Sequence, residues 1–263
     1  MVFICGMPLG VNAQETEIQQ PTFQRPLPKF LPKGELRVGI NPEQPPLIFI
    51  QNNRIMGLEA DLARAFAKDL GVPLNFVVME FEELIPALVA GKIDIIMSGM
   101  SETEVRSIKI NFATPYLATG QMPLVRASDL TRYPTTMALL NTQVRVGVEE
   151  GTTGDFYVRE NFRYCERIPF KDIQAASDAL AAERLGMVIA DAPTVWWLAA
   201  EREAAGLAPV RALLSRELIS WGISKTNPDL QMAADSFLVH LQGSGQLDQM
   251  IGRWLPYLEA MKR

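Results

Sequence analysis

The chain has 263 residues, 48% of them hydrophobic and 21% charged, with a net charge of −5. That length buries a sizeable core in one large or two modest domains. The acidic balance, with no Lys/Arg tract to follow phosphates, argues against a nucleic-acid partner. A single histidine, His240, argues against histidine-based metal sites and histidine-dependent triads, so neither a metal nor a cofactor is expected.

Residues 1–14 carry no charge, and Val11-Asn12-Ala13 has the small-x-small form of a signal-peptidase site. The apolar run is short and lacks a basic start, so residues 1–13 read as the remnant of a signal peptide. Phe3-Ile4 before Cys5 are large where a lipid-anchored cysteine wants small neighbours. Removal of the remnant would leave Cys165 alone, with no internal disulfide. No apolar stretch reaches the ~18–20 residues that span a bilayer. Residues 14–33, with Pro21, Pro26, Pro28 and Pro32, read as an extended lead-in rather than part of a core.

Order is expected from the strand Leu36–Ile40, followed by a loop in which Pro42, Pro45 and Pro46 forbid helix. Gly57 to Gly71 is an amphipathic helix with Leu58, Leu62, Phe66 and Leu70 on one stripe. Gly71 suits its C-cap and Pro73 prevents continuation. Leu74–Val78 reads as a strand, Glu82–Ala90 as a helix with Pro86 in its early turns, and Ile93–Met97 as a third strand. This β-α-β-α-β order calls for a parallel sheet with right-handed crossovers. A second cycle follows. It has a strand at Val144–Val148, a helix through Asp155–Glu160, a helix from Ile173 to Leu185, a strand at Met187–Ala190 and a helix through Thr194–Ala204. The last segment, from Asp229 onward, reads as two helices broken at Gly243 and Gly245.

Ligands of open parallel sheets sit beyond the carboxyl ends of the strands. Four loops qualify: Asn41–Gln44, Ser98–Ser101, Gly151–Thr153 and the turn at Asp191. Ser98-Gly99-Met100-Ser101 offers N–H and hydroxyl groups, and Arg106 lies close enough to fold back on it as an anion site. Thr152 and Thr153 after Gly151 offer similar donors, although Gly-Thr-Thr is also an ordinary helix cap. The spacing of a phosphate loop is absent. Asp191 before Ala192-Pro193 is either a helix N-cap or a partner for an ammonium. An Arg can grip a carboxylate through two parallel hydrogen bonds. If Arg106 and Asp191 share one cleft, that cleft suits a zwitterion, of which an α-amino acid is the commonest small example. Phe81 either packs on a ligand or joins the core, and Trp196 and Trp197 are expected to seal packing.

The motifs Gly57-Leu58-Glu59-Ala60-Asp61-Leu62, Leu84-Ile85-Pro86-Ala87-Leu88, Gly91-Lys92-Ile93-Asp94 with Ser98-Gly99-Met100-Ser101, and Asn111-Phe112-Ala113-Thr114-Pro115-Tyr116 occur in that order. Val146-Gly147-Val148 with Gly151-Thr152-Thr153, and Ala190-Asp191 with Trp221-Gly222-Ile223-Ser224, complete the set. With them the chain resembles the periplasmic amino-acid-binding proteins of ABC importers, the polar amino-acid solute-binding family, from about Leu36 to Trp254. The resemblance implies an α/β, two-lobed periplasmic-binding-protein-like fold, each lobe a mainly parallel sheet flanked by helices, joined by two crossover strands. Lobe one would comprise residues 34–116 and 222–263, lobe two residues 121–216, and the hinge residues 117–120 and 217–221.

The resemblance further implies that Arg106 clamps the α-carboxylate while Asp191 holds the α-ammonium. Gly99 and Ser101 would hold the ligand backbone, with Ser98 of the same turn also among the ligand-binding candidates, Thr152 and Thr153 would be second-lobe carboxylate donors, and Phe81 an aromatic platform. Asn41, Gln44 and Glu149 depart from common family choices and bear on which polar amino acid is bound. The implied protein is a monomeric, periplasmic, non-enzymatic carrier that passes an amino acid to a membrane ABC permease. Two other readings stand beside it: a dehydratase- or lyase-like enzyme using Glu149 or Glu150 as an acid–base group, and a sensor module for a membrane receptor.

Overall fold

The computed structural model describes residues 28–256. The expected signal-peptide remnant, residues 1–13, and most of the expected lead-in lie outside the described residues. The remainder of that lead-in is not an extended arm. Leu31 is 2% exposed within the first lobe's core, and Asn227 donates a hydrogen bond to the Phe30 carbonyl. Phe30 and Leu31 contribute apolar surface, and that outweighs the turn tendency of the flanking prolines.

The first strand, β1 (Leu36–Ile40), is buried at every position. The proline-rich stretch after it, expected as a plain loop, contains a three-stranded antiparallel meander of β2 (Glu43–Gln44), β3 (Ile48–Gln51) and β4 (Arg54–Met56). Strands this short show no usable alternation. Asn52 and Asn53, at φ of 51° and 59°, form the left-handed turn between β3 and β4. The expected amphipathic helix is α1 (Leu58–Leu70), with Gly71 closing it in the left-handed conformation at φ 70°. Then come β5 (Leu74–Val78), a 3₁₀ turn at Phe81–Glu83, and α2 (Leu84–Val89). The paired part of the expected third strand is β6 (Ile95–Ile96). Thr103 caps the short α3 (Glu104–Ser107), which carries Arg106, and β7 (Asn111–Phe112) and β8 (Leu117–Thr119) follow.

The second lobe begins with β9 (Gln121–Arg126) and α4 (Thr136–Leu140), neither anticipated from pattern. It continues through β10 (Arg145–Glu149), α5 (Thr153–Asn161), β11 (Glu166–Phe170), α6 (Ile173–Ala181), β12 (Met187–Asp191), α7 (Ala192–Glu201) and β13 (Leu207–Pro209). Helix α6 stops short of the expected Leu185, and the following turn places Glu183 at a left-handed φ of 59°. The chain returns through β14 (Glu217–Ile219) and β15 (Gly222–Ile223) and ends in α8 (Pro228–Gly243) and α9 (Gln246–Trp254).

Two five-stranded sheets result, ordered β5-β1-β6-β15-β7 and β11-β10-β12-β9-β13. Each has a parallel core. In each, the strand that arrives after a crossover runs antiparallel to it: β15 against β6, and β9 against β12. Between the sheets β8 and β14 pair with each other, setting Glu217 opposite Thr119. The first lobe's core centres on Trp221, fully buried and 5.5 Å from Phe66 between ring centroids. An ion pair closes the lobe beneath this core. Arg37 and Asp94 meet at 2.6 Å, both almost fully buried, and Arg37 also donates to the carbonyls of Gly91 and Lys92.

The lobes touch across the cleft. Gln44 of β2 donates to Glu149 of β10 at 2.8 Å, Lys171 pairs with Glu80 at 2.9 Å, and the rings of Phe49 and Trp197 lie 5.1 Å apart. Trp196, by contrast, faces Arg211 within its own lobe.

Candidate functional site

The loop after β6 is held from behind by side chains rather than by sheet bonds. Ser98 accepts from the Asn41 N–H at 2.8 Å and donates to its carbonyl, locking the ends of β1 and β6 together. Gly99 adopts φ of 64°, a conformation glycine tolerates best. Its N–H, expected to face a ligand, instead donates to the Glu59 carboxylate, which is fully buried in the first turn of α1. Burial pushes the Glu59 carboxyl up to about 8, with Tyr116 beside it. The Ser101 hydroxyl is likewise engaged, donating to Glu217 at 2.6 Å. The ligand-facing resources of this loop are therefore fewer than the resemblance implied, because two of its donors serve acids that hold the loop in place.

The Ser101 carbonyl supports Arg106, accepting from its guanidinium at 2.8 Å. The Phe81 ring lies under the same guanidinium at 5.3 Å, so its platform serves the arginine. Burial lowers the Arg106 pKa, while Asp191 and Glu217 nearby favour its charged form.

In the second lobe, Thr152 is the N-cap of α5. Its hydroxyl accepts from the Asp155 N–H at 3.3 Å and donates to the Glu149 carbonyl at 2.7 Å. Its side chain is thus committed to the cap rather than to a ligand, as a Thr at this position often is. The Thr153 hydroxyl oxygen accepts from Gln121 Nε2 at 3.1 Å. Asp155, with no exposed side-chain surface, accepts from the Gly151 N–H and pairs with Arg159 and Arg167 at 2.9 and 2.6 Å. It fixes the Gly151–Thr153 turn.

Asp191 occupies the N-cap position of α7, yet its side chain makes no capping bond there. Instead Oδ1 accepts from Gln121 Nε2 at 2.5 Å, and Gln121 lies opposite Asp191 in the β9–β12 ladder. Desolvation and the neighbouring Glu217 raise the Asp191 carboxyl to about 7. Arg106 and Asp191 therefore lie close enough to influence each other electrostatically, linked through Ser101, Glu217 and Gln121.

At the other end of the cleft, Glu149 is 5% exposed, with its carboxyl raised to about 8 chiefly by burial. Asn41, also buried, donates to the Met79 carbonyl at 3.4 Å while its Oδ1 has no donor. A cavity of about 20 Å³, room for roughly one water, is lined by Gln44, Gln121, Glu149, Thr152 and Asp191. A groove of about 420 Å³ opens beside Arg106, Thr153, Phe156 and Tyr157.

Gln121 and Glu217 did not emerge from the sequence as site residues. Their only signal was position. Gln121 follows the first expected hinge, and Glu217 is the sole charged residue of the second. Among the described residues, no group of three or more His, Cys, Asp or Glu side chains is placed to hold a metal ion, and no helix is long and apolar enough to cross a membrane.

Across residues 36–257 the sequence matches the model of the bacterial extracellular solute-binding proteins, family 3. The chain belongs to this family. This family 3 protein is 24% identical to the L-cystine-binding protein TcyJ of Escherichia coli strain K12 over 229 residues, 87% of this chain and 85% of that one. Among solved structures it resembles an ancestral arginine-binding protein bound to arginine, with a TM-score of 0.79 and 29% identity over 84% of this chain and 98% of the other. It also resembles the ancestral amino-acid-binding protein AncCDT-1, described as a precursor of cyclohexadienyl dehydratase. There the TM-score is 0.78 and the identity 29%, over 86% of this chain and 97% of that one. These likenesses, like the strand order, place the family 3 protein among two-lobed binding proteins.

Proposed function

We propose that this protein captures a polar α-amino acid between its lobes in the periplasm and presents it to the permease of an ABC importer without altering it. The observation that carries the reading is the pairing of Arg106 with Asp191. The guanidinium is propped by Ser101 and Phe81, while the carboxylate sits at a helix start that it does not cap. Each lacks a counter-charge in direct contact, and a zwitterion supplies both. Gln44 and Glu149 at the far end favour a side chain that donates hydrogen bonds or carries positive charge. The relatives bound to arginine, and in a second crystal to glutamine, are consistent with that preference.

Binding would begin on Arg106 in the first lobe. Residues 117–120 and 217–221 would act as the hinge, and closure would add Asp191 and the Gln44–Glu149 contact. Closure is favoured only by contacts that the open state lacks. Exclusion of water then strengthens both ion pairs.

The test is the thermal stability of ligand-stripped protein against the twenty amino acids and simple amines and carboxylic acids. Ligand at ~100 times its dissociation constant stabilises by about 2.7 kcal/mol. A response to one or a few amino acids supports the reading. A response confined to acids or amines lacking the zwitterion overturns it. The likeness to a dehydratase precursor, with Glu149 in the cleft, motivates a second reading as an acid–base enzyme. Mass spectrometry of the bound amino acid after prolonged incubation separates the two: an unchanged ligand supports the carrier, and turnover supports the enzyme.

A further inference from the structure

The ammonium end of the cleft holds more acid than one zwitterion clamp requires. Gln121 Nε2 lies 2.5 Å from Asp191 Oδ1, 3.0 Å from Glu217 Oε1 and 3.1 Å from Thr153 Oγ1. A primary amide nitrogen carries two hydrogens, yet three acceptors converge on it. The same side chain is only 1% exposed, and its Oε1 is buried with no donor. The group at this point is thus one hydrogen short on its nitrogen and lacks a donor on its oxygen. An ammonium carries three N–H donors and a full positive charge, so it satisfies this set where the amide does not.

Glu217 reaches the point from the crossover strand β14, and Ser101 and Ser215 each donate to its carboxylate at 2.6 Å. These donors, with Gln121 and Thr153, keep it ionised despite burial. An ionised Glu217 beside Asp191 holds the Asp191 carboxyl up, and the nearby Arg106 offsets only part of this, so a further cation is favoured there.

We propose that Glu217 is a second carboxylate of the ammonium subsite, binding the ligand's α-ammonium jointly with Asp191 at the place where the Gln121 amide nitrogen now stands. On binding, the amide turns aside, and the three N–H groups of the ammonium go to Asp191, Glu217 and Thr153. The inference rests on the amino-acid reading above and adds a selectivity to it. Primary amines are favoured over N-methylated ones, which lose one of the three donors.

Calorimetric titration tests this with wild type, Glu217→Gln and Asp191→Asn. The probes are the standard amino acids that bind, their deaminated carboxylic acids and their N-methyl derivatives. Glu217→Gln is expected to weaken the amino acid at least tenfold while changing the deaminated acid by less than twofold, as Asp191→Asn does. In wild type the N-methyl derivative binds at least tenfold more weakly than its parent. Equal losses for amino acid and deaminated acid would show that Glu217 acts only on the geometry of the crossover strands, and the inference fails. Unchanged amino-acid affinity in Glu217→Gln also overturns it, while leaving the Arg106–Asp191 clamp standing. If Glu217→Gln does not fold, equal wild-type affinity for parent and N-methyl ligand overturns it instead. Failure of wild type to bind any standard amino acid overturns the amino-acid reading itself, and this inference with it.

Discussion

Arg37–Asp94, buried, and Arg106–Asp191, half-buried, are two arrangements of the same residue types with opposite states of completion. The first lies within one lobe and is closed at 2.6 Å, with Nη1 donating to the carbonyls of Gly91 and Lys92. The second is divided between lobes. Arg106 rests on a carbonyl and a ring, and Asp191 on an amide. A buried charge without an ionic partner is costly. A fold retains one where another molecule supplies the partner, so the contrast reads the first pair as architecture and supports the proposal that the second is completed by a ligand.

The largest effect that would break this comparison lies in the completed pair. Asp94→Ala is expected to cost about 3–5 kcal/mol of folding stability, because it strands a buried guanidinium. Denaturant titration reads this, and a cost below about 1 kcal/mol would remove the architectural role. Arg106→Ala, in contrast, should leave the denaturation midpoint nearly unchanged and weaken amino-acid binding by about 2–5 kcal/mol. Unaltered affinity by calorimetry would remove Arg106 from the clamp.

The pH dependence sharpens the same contrast in two ways. A ligand ammonium favours ionised Asp191, whose carboxyl stands at about 7 without it. Binding therefore expels a proton below that value. Affinity should be full above about pH 7 and fall by up to about tenfold per unit below it. In Asp191→Asn that slope should vanish. Glu59 acts on folding instead. Its carboxyl is raised from 4.5 to about 8, so the folded chain holds a proton that the unfolded chain releases across that interval. The Glu59 contribution to stability is present below pH 4.5 and is lost as pH rises towards 8. Melting curves of Glu59→Gln should show a flatter decline over this range than wild type. The smallest expected effect is at Thr152, whose hydroxyl serves the cap of α5. Thr152→Ala should cost about 1 kcal/mol of stability, with selectivity among amino acids unchanged in a competition assay.

Local pattern was enough for α1, where Leu58, Leu62 and Phe66 recur on one face and Gly71 ends the helix. It also located β1, β5, β10 and β12, whose apolar runs are bounded by turns. It failed for the β2–β4 meander and for β9 and α4. Strands of two to four residues carry too little periodicity to read, and β9 takes its place only by pairing with β12 and β13. Of the site, Arg106, Asp191 and the Ser98–Ser101 and Gly151–Thr153 turns were visible, because each closes a strand or opens a helix. The uses of their donors were not visible. Gly99 serves Glu59, Ser101 serves Glu217, and Thr152 serves its own helix.

The sequence by itself determined the two-cycle α/β grammar, the family and the two charges suited to a zwitterion, since these depend on hydrophobic spacing and on residues at strand ends. Only the tertiary structure decided that Gln121 and Glu217 join Asp191. They are separated by 96 positions and lie in or beside the crossover strands, where no local period marks a polar residue as functional. Their meeting depends on the pairing of β8 with β14 and of β9 with β12, contacts between distant segments that form only when both lobes have folded.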